Sequence, residues 1–82
     1  MKVWVNFYGF RHGGKELVFD RVIALDLATI RPHLNQVEIA DDPDLANPYE
    51  ISEASVRSLT GVADLPAGSY FVNQVQCDDP LP

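Results

Sequence analysis

The sequence has a single cysteine and no apolar run close to the about 20 residues that a membrane-spanning helix requires. Because Cys77 has no second cysteine to pair with, an intrachain disulfide and a disulfide-stapled secreted fold are excluded. Residues 1–8 also lack the apolar segment and the small-residue cleavage site of a signal peptide. We therefore predict a cytoplasmic protein with no membrane partner.

Basic residues are scarce as well, since six lysines and arginines stand against twelve acidic residues, for a net charge of −6. Residues 1–31 carry five basic and three acidic residues, whereas residues 32–82 carry one basic and nine acidic residues. The second part therefore has a net charge of −8, and such a field repels phosphate backbones and attracts basic protein surfaces. The plain alternative is that this charge only keeps a small protein in solution.

The strongest secondary-structure signal is an N-terminal β-hairpin. Lys2–Phe10 alternates between two faces, as a strand does, and Gly13-Gly14 then supplies the positive φ of a tight turn. The following run, Glu16–Leu25, is rich in β-branched residues and predicts a second strand. A helix remains the alternative, because three apolar residues of this run also follow a helical spacing, namely Val18, Val22 and Leu25.

The segment after the hairpin is ambiguous. Asp26–Gln36 could form a short helix capped by Asp26, but Pro32 would break it and favours an extended chain. Val37–Ala40 predicts a short strand, and Asp41–Tyr49 predicts a loop because it contains an Asp-Pro and an Asn-Pro pair.

The clearest helix begins after Ser52, a good N-cap residue, and ends near Gly61, which suits the left-handed end of a helix. Ile51 is expected to pack on Val56 one turn into this helix. Leu65–Gly68 then predicts a type II turn.

A final strand is predicted over Ser69–Cys77, followed by a frayed tail at residues 78–82 with two prolines. The chain of 82 residues is long enough for one domain with one modest core. We predict an α+β fold: a small, mostly antiparallel sheet of three or four strands, with the N-terminal β-hairpin and one short helix packed on one face.

Two patterns resemble ion-binding motifs but are incomplete. Gly13-Gly14-Lys15 lacks the longer glycine spacing and the Ser or Thr of a phosphate-binding loop, so a hairpin turn is favoured. Asp42–Glu53 matches calcium-loop positions 1, 3, 9 and 12, but Ala46 and Asn47 stand where an oxygen ligand and a glycine are needed. The zinc ligands available lack paired spacing: His12, His33 and Cys77.

No residue pattern indicates a catalytic centre. Cys77 has an acidic neighbour and no base beside it in the sequence, and the pairs Asp41/Asp42 and Asp78/Asp79 stand in proline-containing loops rather than in a shared pocket. We therefore predict a protein that is not an enzyme and that has no catalytic residue, no metal and no cofactor.

Aromatic residues could form a stacking platform, as on the sheets that bind single strands, through Trp4, Tyr8, Tyr70 and Phe71. The net charge and the absence of a basic stripe disfavour direct nucleic-acid binding. Trp4 is equally suited to the core.

These observations predict a non-enzymatic, acidic protein-binding module for a partner with a basic surface. The sharper hypothesis is an inhibitor of a basic nucleic-acid-handling protein, as in phage or mobile-element anti-defence proteins. The alternatives are a self-associating structural or assembly subunit, hence a homo-oligomer, and an accessory subunit of an enzyme complex. The predicted partner contacts are six acids and two apolar anchors: Glu38, Asp41, Asp42, Asp44, Glu50, Glu53, Trp4 and Tyr8.

Overall fold

The N-terminal hairpin forms where its sequence predicts it. In the computed structural model, which describes residues 1–82, β1 (Lys2–Phe10) pairs antiparallel with β2 (Leu17–Asp26). Gly13 in the turn has a φ of 70°, a conformation that glycine adopts without steric cost. The strand prediction for the second apolar run is thus confirmed over the helical alternative.

Two further strands complete an antiparallel sheet. β3 (Tyr49–Ile51) pairs with β4 (Ser69–Gln74), and β4 pairs with β1, which gives the order β2-β1-β4-β3. The final strand is shorter than predicted, and β3, which was not predicted, begins at Tyr49, the last residue of the predicted loop. The predicted α+β class, with four strands, is confirmed.

The ambiguous segment after the hairpin is helical. Asp26 caps α1 (Leu27–Ile30), since one carboxylate oxygen accepts a hydrogen bond from the Ala28 N–H at 3.0 Å. A single 3₁₀ turn follows (Arg31–His33), with proline in its first positions, where the missing N–H costs no hydrogen bond.

The predicted strand at Val37–Ala40 is wrong, because these residues lie in and just after α2 (Gln36–Ile39). The Asn35 side chain caps this helix by accepting from the N–H groups of Val37 and Glu38 at 3.0 and 3.3 Å. Ile39 is buried, whereas Val37 is 86% exposed, so the two apolar residues do not share a face as they would in a strand.

The third helix follows its sequence signals closely. α3 (Glu53–Thr60) begins after Ser52, whose hydroxyl accepts from the Ser55 N–H at 3.1 Å. It ends at Gly61, which has a φ of 75° and donates its N–H to the Arg57 carbonyl at 2.9 Å. The structure therefore has three short α-helices instead of the one predicted.

The predicted type II turn at Leu65–Gly68 is wrong, because that turn needs a positive φ at Ala67, and no residue of the segment has one. Gly68 serves a different purpose: a Cβ atom at this position would overlap the carbonyl oxygen of Phe10. The missing side chain lets the segment that enters β4 lie directly against the end of β1.

The core lies between one face of the sheet, here called the covered face, and the helices. Its fully buried strand residues are Val5, Phe7, Tyr70 and Val72, and the main residues packed on them are Ile30, Leu45, Ile51 and Val56. On the opposite, open face the strand residues are half-buried or exposed, and none is fully buried. No helix has the length and apolar character needed to cross a bilayer.

Candidate functional site

The charge asymmetry follows the strand order only in part, because Arg31 of the basic part donates its Nε–H to the Pro43 carbonyl at 2.8 Å and Asp79 of the acidic part lies beside Trp4. The hairpin holds β2 at one edge, whereas β3 forms the other edge and directly follows the acidic loop at residues 41–44. Because only three ion pairs form, and only Glu53 among the nine acids of residues 32–82 belongs to one, the negative charge is not neutralised within the chain.

Asp42, a predicted partner contact, is occupied by its own loop. Its carboxylate accepts hydrogen bonds from the Asn47 and Ala46 N–H groups at 2.9 and 3.0 Å and from the Tyr49 hydroxyl at 2.8 Å. The backbone N–H groups of Asn47 and Ala46, followed by the Tyr49 hydroxyl, hold the pKa of Asp42 below its usual value. This carboxylate fixes the turn that leads into β3.

Glu53 has a structural role as well. One carboxylate oxygen accepts from the Gly68 N–H at 3.3 Å, and the other lies 3.4 Å from an Arg57 guanidinium nitrogen one helical turn away. Glu53 therefore ties the start of α3 to the segment that enters β4.

The other four predicted acids are exposed and accept no hydrogen bond from within the chain: Glu38, Asp41, Asp44 and Glu50. We call these four residues the acidic surface. Glu38 lies near the loop anchored by Asp42: the pKa of Tyr49 is raised mainly by its hydrogen bond to Asp42, and the Glu38 charge adds a smaller contribution. Glu50 alternates with Tyr49 along β3 and therefore lies on the open face. The acidic surface thus flanks both sides of the β3 edge.

The two predicted apolar anchors, Trp4 and Tyr8, both lie half-buried on the open face. The Trp4 indole N–H donates to the Asp79 carbonyl at 3.0 Å, so part of the segment predicted as a frayed tail contacts this ring. The question whether Trp4 belongs to the core or to the surface is thereby answered, because it lies outside the buried core on the other side of the sheet.

The predicted aromatic group is divided between the two faces. Tyr70 is 1% exposed on the covered face, whereas Phe10 joins Tyr8 and Phe71 on the open one. The Tyr8 and Phe71 rings stack with centroids 5.7 Å apart, and Phe10 meets each of them edge to face at 5.8 and 6.3 Å. Partial burial among these rings raises the pKa of Tyr8.

Amide side chains separate Trp4 from this ring cluster. Asn6 lies directly opposite Asn73 between strands β1 and β4. The Asn73 amide nitrogen reaches the Gln74 carbonyl at 3.3 Å, whereas the Asn6 side-chain oxygen is buried without a hydrogen-bond partner. Asn6 and Asn73 therefore form a polar row that separates Trp4 from the three rings on the open face, which also carries Asp20 and Glu50.

The candidate metal and nucleophile residues do not converge. His33 lies 2.8 Å from the Ser55 hydroxyl, and the exposed Cys77 sulfur lies 3.6 Å from an Asp79 carboxylate oxygen. No group of three or more His, Cys, Asp and Glu side chains is arranged to hold a metal ion. In the calcium-like segment, Asp42 directs its oxygens to its own loop.

Two clefts open on the surface. One, of about 510 Å³, lies beside Trp4 and is lined in part by Val75, Cys77 and Leu81. The other, of about 460 Å³, lies where the hairpin turn meets the open face, and we call it the hairpin-tip cleft. Its lining residues are Phe10, Arg11, Gly13, Gly14, Lys15, Ser69 and Phe71.

The residues of the hairpin-tip cleft can be recognised separately in the sequence, but the sequence does not show that they lie together. The Gly-Gly-Lys turn and the aromatic residues were separate signals, and only the pairing of β4 with β1 brings Ser69 and Phe71 beside the turn. Comparison with known proteins found no matching family model, no similar curated protein and no similar solved structure.

Proposed function

We propose that this chain is a non-enzymatic protein-binding module whose acidic surface contacts a basic region of a partner protein. The observation that supports the proposal most directly is that its four carboxylates are exposed and without partners along one edge of the sheet. An uncompensated field of one sign accelerates encounter with a surface of opposite sign and selects against acidic partners.

A sharper form of the proposal concerns partners that handle nucleic acid. Such proteins bind phosphates through basic tracks, and an acidic edge can occupy a track of that kind in place of the phosphates. The chain then acts as an inhibitor, and its affinity for the partner decreases steeply with salt.

The experiment compares two variants of equal net charge in capture assays from extracts of the native host. The first removes the acidic surface by Glu38→Gln, Asp41→Asn, Asp44→Asn and Glu50→Gln. The second, a matched control, removes four exposed acids elsewhere by Asp20→Asn, Asp64→Asn, Asp78→Asn and Asp79→Asn.

We expect the control to retain the partner bound by the unchanged chain, and the acidic-surface variant to bind it about tenfold more weakly or worse, since several exposed charge contacts are lost together. An equal loss of affinity in both variants would show that the net charge of the chain, and not the position of the acidic surface, determines binding. An affinity that stays flat between about 0.05 and about 0.5 M salt would contradict the electrostatic basis.

A second candidate function, self-association, is favoured by the exposed edge strand β2. This strand has ten residues and no proline, and Val22 at its centre is 47% exposed. A long unpaired edge can add a strand from a second copy. Antiparallel pairing centred on Val22 places Asp20 opposite Ala24 and Arg21 opposite Ile23, so no like charges meet.

Light scattering during size-exclusion chromatography tests self-association. A dimer mass that Val22→Lys converts to a monomer, while Ser58→Lys on α3 leaves it unchanged, supports pairing through β2. A monomer at every concentration of the unchanged chain contradicts it.

A further inference from the structure

The hairpin-tip cleft combines two kinds of side chain that recognise different parts of one ligand. On one side, the rings of Phe10 and Phe71 are half-buried and leave part of their surface facing the open side of the sheet. Tyr8 stacks behind Phe71 and holds its ring in place. A fixed, partly exposed ring offers a stacking surface to a planar ligand.

The other side of the cleft is cationic. Lys15 is exposed and takes part in no ion pair, and the Arg11 guanidinium lies 2.9 Å from the Glu16 carboxylate. The Gly13 N–H lies outside the strands and makes no backbone hydrogen bond. Without Cβ atoms, Gly13 and Gly14 leave this wall open to an anion approaching the backbone.

The hairpin-tip cleft and the acidic surface lie in different parts of the fold. Three of the four acids of that surface belong to α2 and the loop that precedes β3, at the opposite edge of the sheet from the hairpin. Glu50 is the member on the open face, where it lies opposite Phe71. Glu16 is the acid already paired with the cationic wall. The turn itself therefore carries Arg11 and Lys15 against Glu16, although the exposed Asp20 lies on the open face opposite Tyr8.

We propose that the hairpin-tip cleft binds a phosphorylated planar aromatic group of the size of a nucleoside monophosphate. The ligand ring stacks on the face of Phe71 that Tyr8 leaves free and meets Phe10 at an angle, and the phosphate lies between Lys15 and Arg11. The volume of about 460 Å³ falls within the range of small-molecule sites. This binding mode uses side-chain cations, and it does not require the longer glycine loop that the sequence lacks.

The pairing of Arg11 with Glu16 gives the proposal a distinctive consequence. A phosphate that reaches the terminal nitrogens of Arg11 lies close to the Glu16 carboxylate, which already pairs with the Arg11 Nε and repels a second anion. Removing the Glu16 charge therefore tightens binding, although the residue contributes no attraction of its own. A substitution that only disturbed the hairpin would weaken binding instead.

The experiment is a titration of the ¹⁵N-labelled chain with adenosine monophosphate, followed by the Gly13 and Gly14 amide resonances. Adenosine and inorganic phosphate are titrated separately, because each carries only half of the proposed recognition. We expect both glycine resonances to shift with the monophosphate, and at least tenfold higher concentrations of either fragment to be needed for the same shift.

Variants assign the two halves of the site. Lys15→Gln is expected to weaken binding about tenfold, while Glu16→Gln strengthens it about threefold. Phe71→Leu keeps an apolar side chain but removes the ring, and it weakens binding several-fold while the circular dichroism spectrum stays unchanged. Lys2→Gln, at the other end of β1, is the matched control and leaves affinity unchanged.

Three results would overturn the proposal. Inorganic phosphate that binds as tightly as the monophosphate reveals an anion site without ring recognition. Adenosine that binds as tightly as the monophosphate shows that Lys15 and Arg11 take no part in binding. An unshifted pair of glycine resonances, or equal effects of Lys2→Gln and Lys15→Gln, shows that the cleft is not the site.

Discussion

The two faces of the sheet are built from the same strands, yet they differ in almost every physical property. On the covered face, alternate residues of β1 and β4 are 0–1% exposed and pack against three helices, as Val5, Phe7, Tyr70 and Val72 do. On the open face, the residues between them remain half-buried, and polar side chains interrupt the aromatic ones. The comparison teaches that one face provides most of the folding energy, which leaves the other available for binding.

The largest expected effect is the difference in the free energy of unfolding between substitutions of two phenylalanines, one on each face. Phe7→Ala removes a fully buried ring and should lower the free energy of unfolding by about 3–5 kcal/mol. Phe71→Ala on the open face should cost about 1–2 kcal/mol, because its ring is half-buried. Urea denaturation measures both values.

If Phe7→Ala does not fold, Phe7→Leu is measured instead. Its loss in the free energy of unfolding should be smaller than that of Phe7→Ala but larger than that of Phe71→Leu. Equal losses at the two positions would show that the open face contributes as much to folding as the covered one.

The next effect concerns the contact that joins β4 to the hairpin end. Gly68→Ala would drive a Cβ atom into the Phe10 carbonyl and should cost about 1–3 kcal/mol. In Gly14→Ala the nearest atom lies 3.7 Å away, so stability should change by less than about 0.5 kcal/mol. Thermal and urea unfolding check this pair, and a neutral Gly68→Ala would mean that the strand end can move away.

A smaller effect, of opposite sign, is expected in the polar row of the open face. Asn6→Leu removes a buried oxygen that has no hydrogen-bond partner, and it should raise the free energy of unfolding by about 1 kcal/mol. Asn73→Leu is the control, because it removes the amide that reaches the Gln74 carbonyl, and it should give no gain. Destabilisation by Asn6→Leu would indicate that Asn6 has a partner in solution.

The smallest effect is a change in pH dependence at the β3 edge. The folded-state pKa of Asp42 lies below the unfolded value of about 3.9, so its stabilisation is present above that pH and is lost as pH falls through the folded-state pKa. Asp42→Asn should therefore reduce stability at pH 7, and by a smaller amount at pH 3, where the carboxyl group of the unfolded chain is already largely protonated. Asp44→Asn, which removes a carboxylate that accepts no hydrogen bond, should change stability little at either pH.

Elements with strong local signals were predictable from the sequence. β1 follows from a two-residue period of β-branched and aromatic residues, the hairpin from the Gly-Gly turn, and α3 from Ser52 and Gly61 at its two ends. Each signal acts between residues close in sequence, so no knowledge of the rest of the fold was needed. The same holds for the α+β class and for the uneven distribution of charge.

The elements that were missed depend on longer-range contacts or on one decisive side chain. β3 has only three residues and exists because it pairs with β4, which lies about twenty residues further along the chain. Val37 and Ile39 suggested a strand by alternation, but capping by Asn35 favours a helix that buries Ile39 alone. Alternation over four residues cannot distinguish these outcomes.

The sequence by itself determined what this chain can offer: nine acids in residues 32–82, a basic hairpin turn and a set of aromatic residues. Only the tertiary structure decided how they are used. It committed Asp42 and Glu53 to internal hydrogen bonds, turned Tyr70 into the core, and set Phe71 beside the turn that carries Lys15. Residue types fix charge and ring chemistry locally, whereas the pairing of distant strands determines which of these groups meet and which remain exposed.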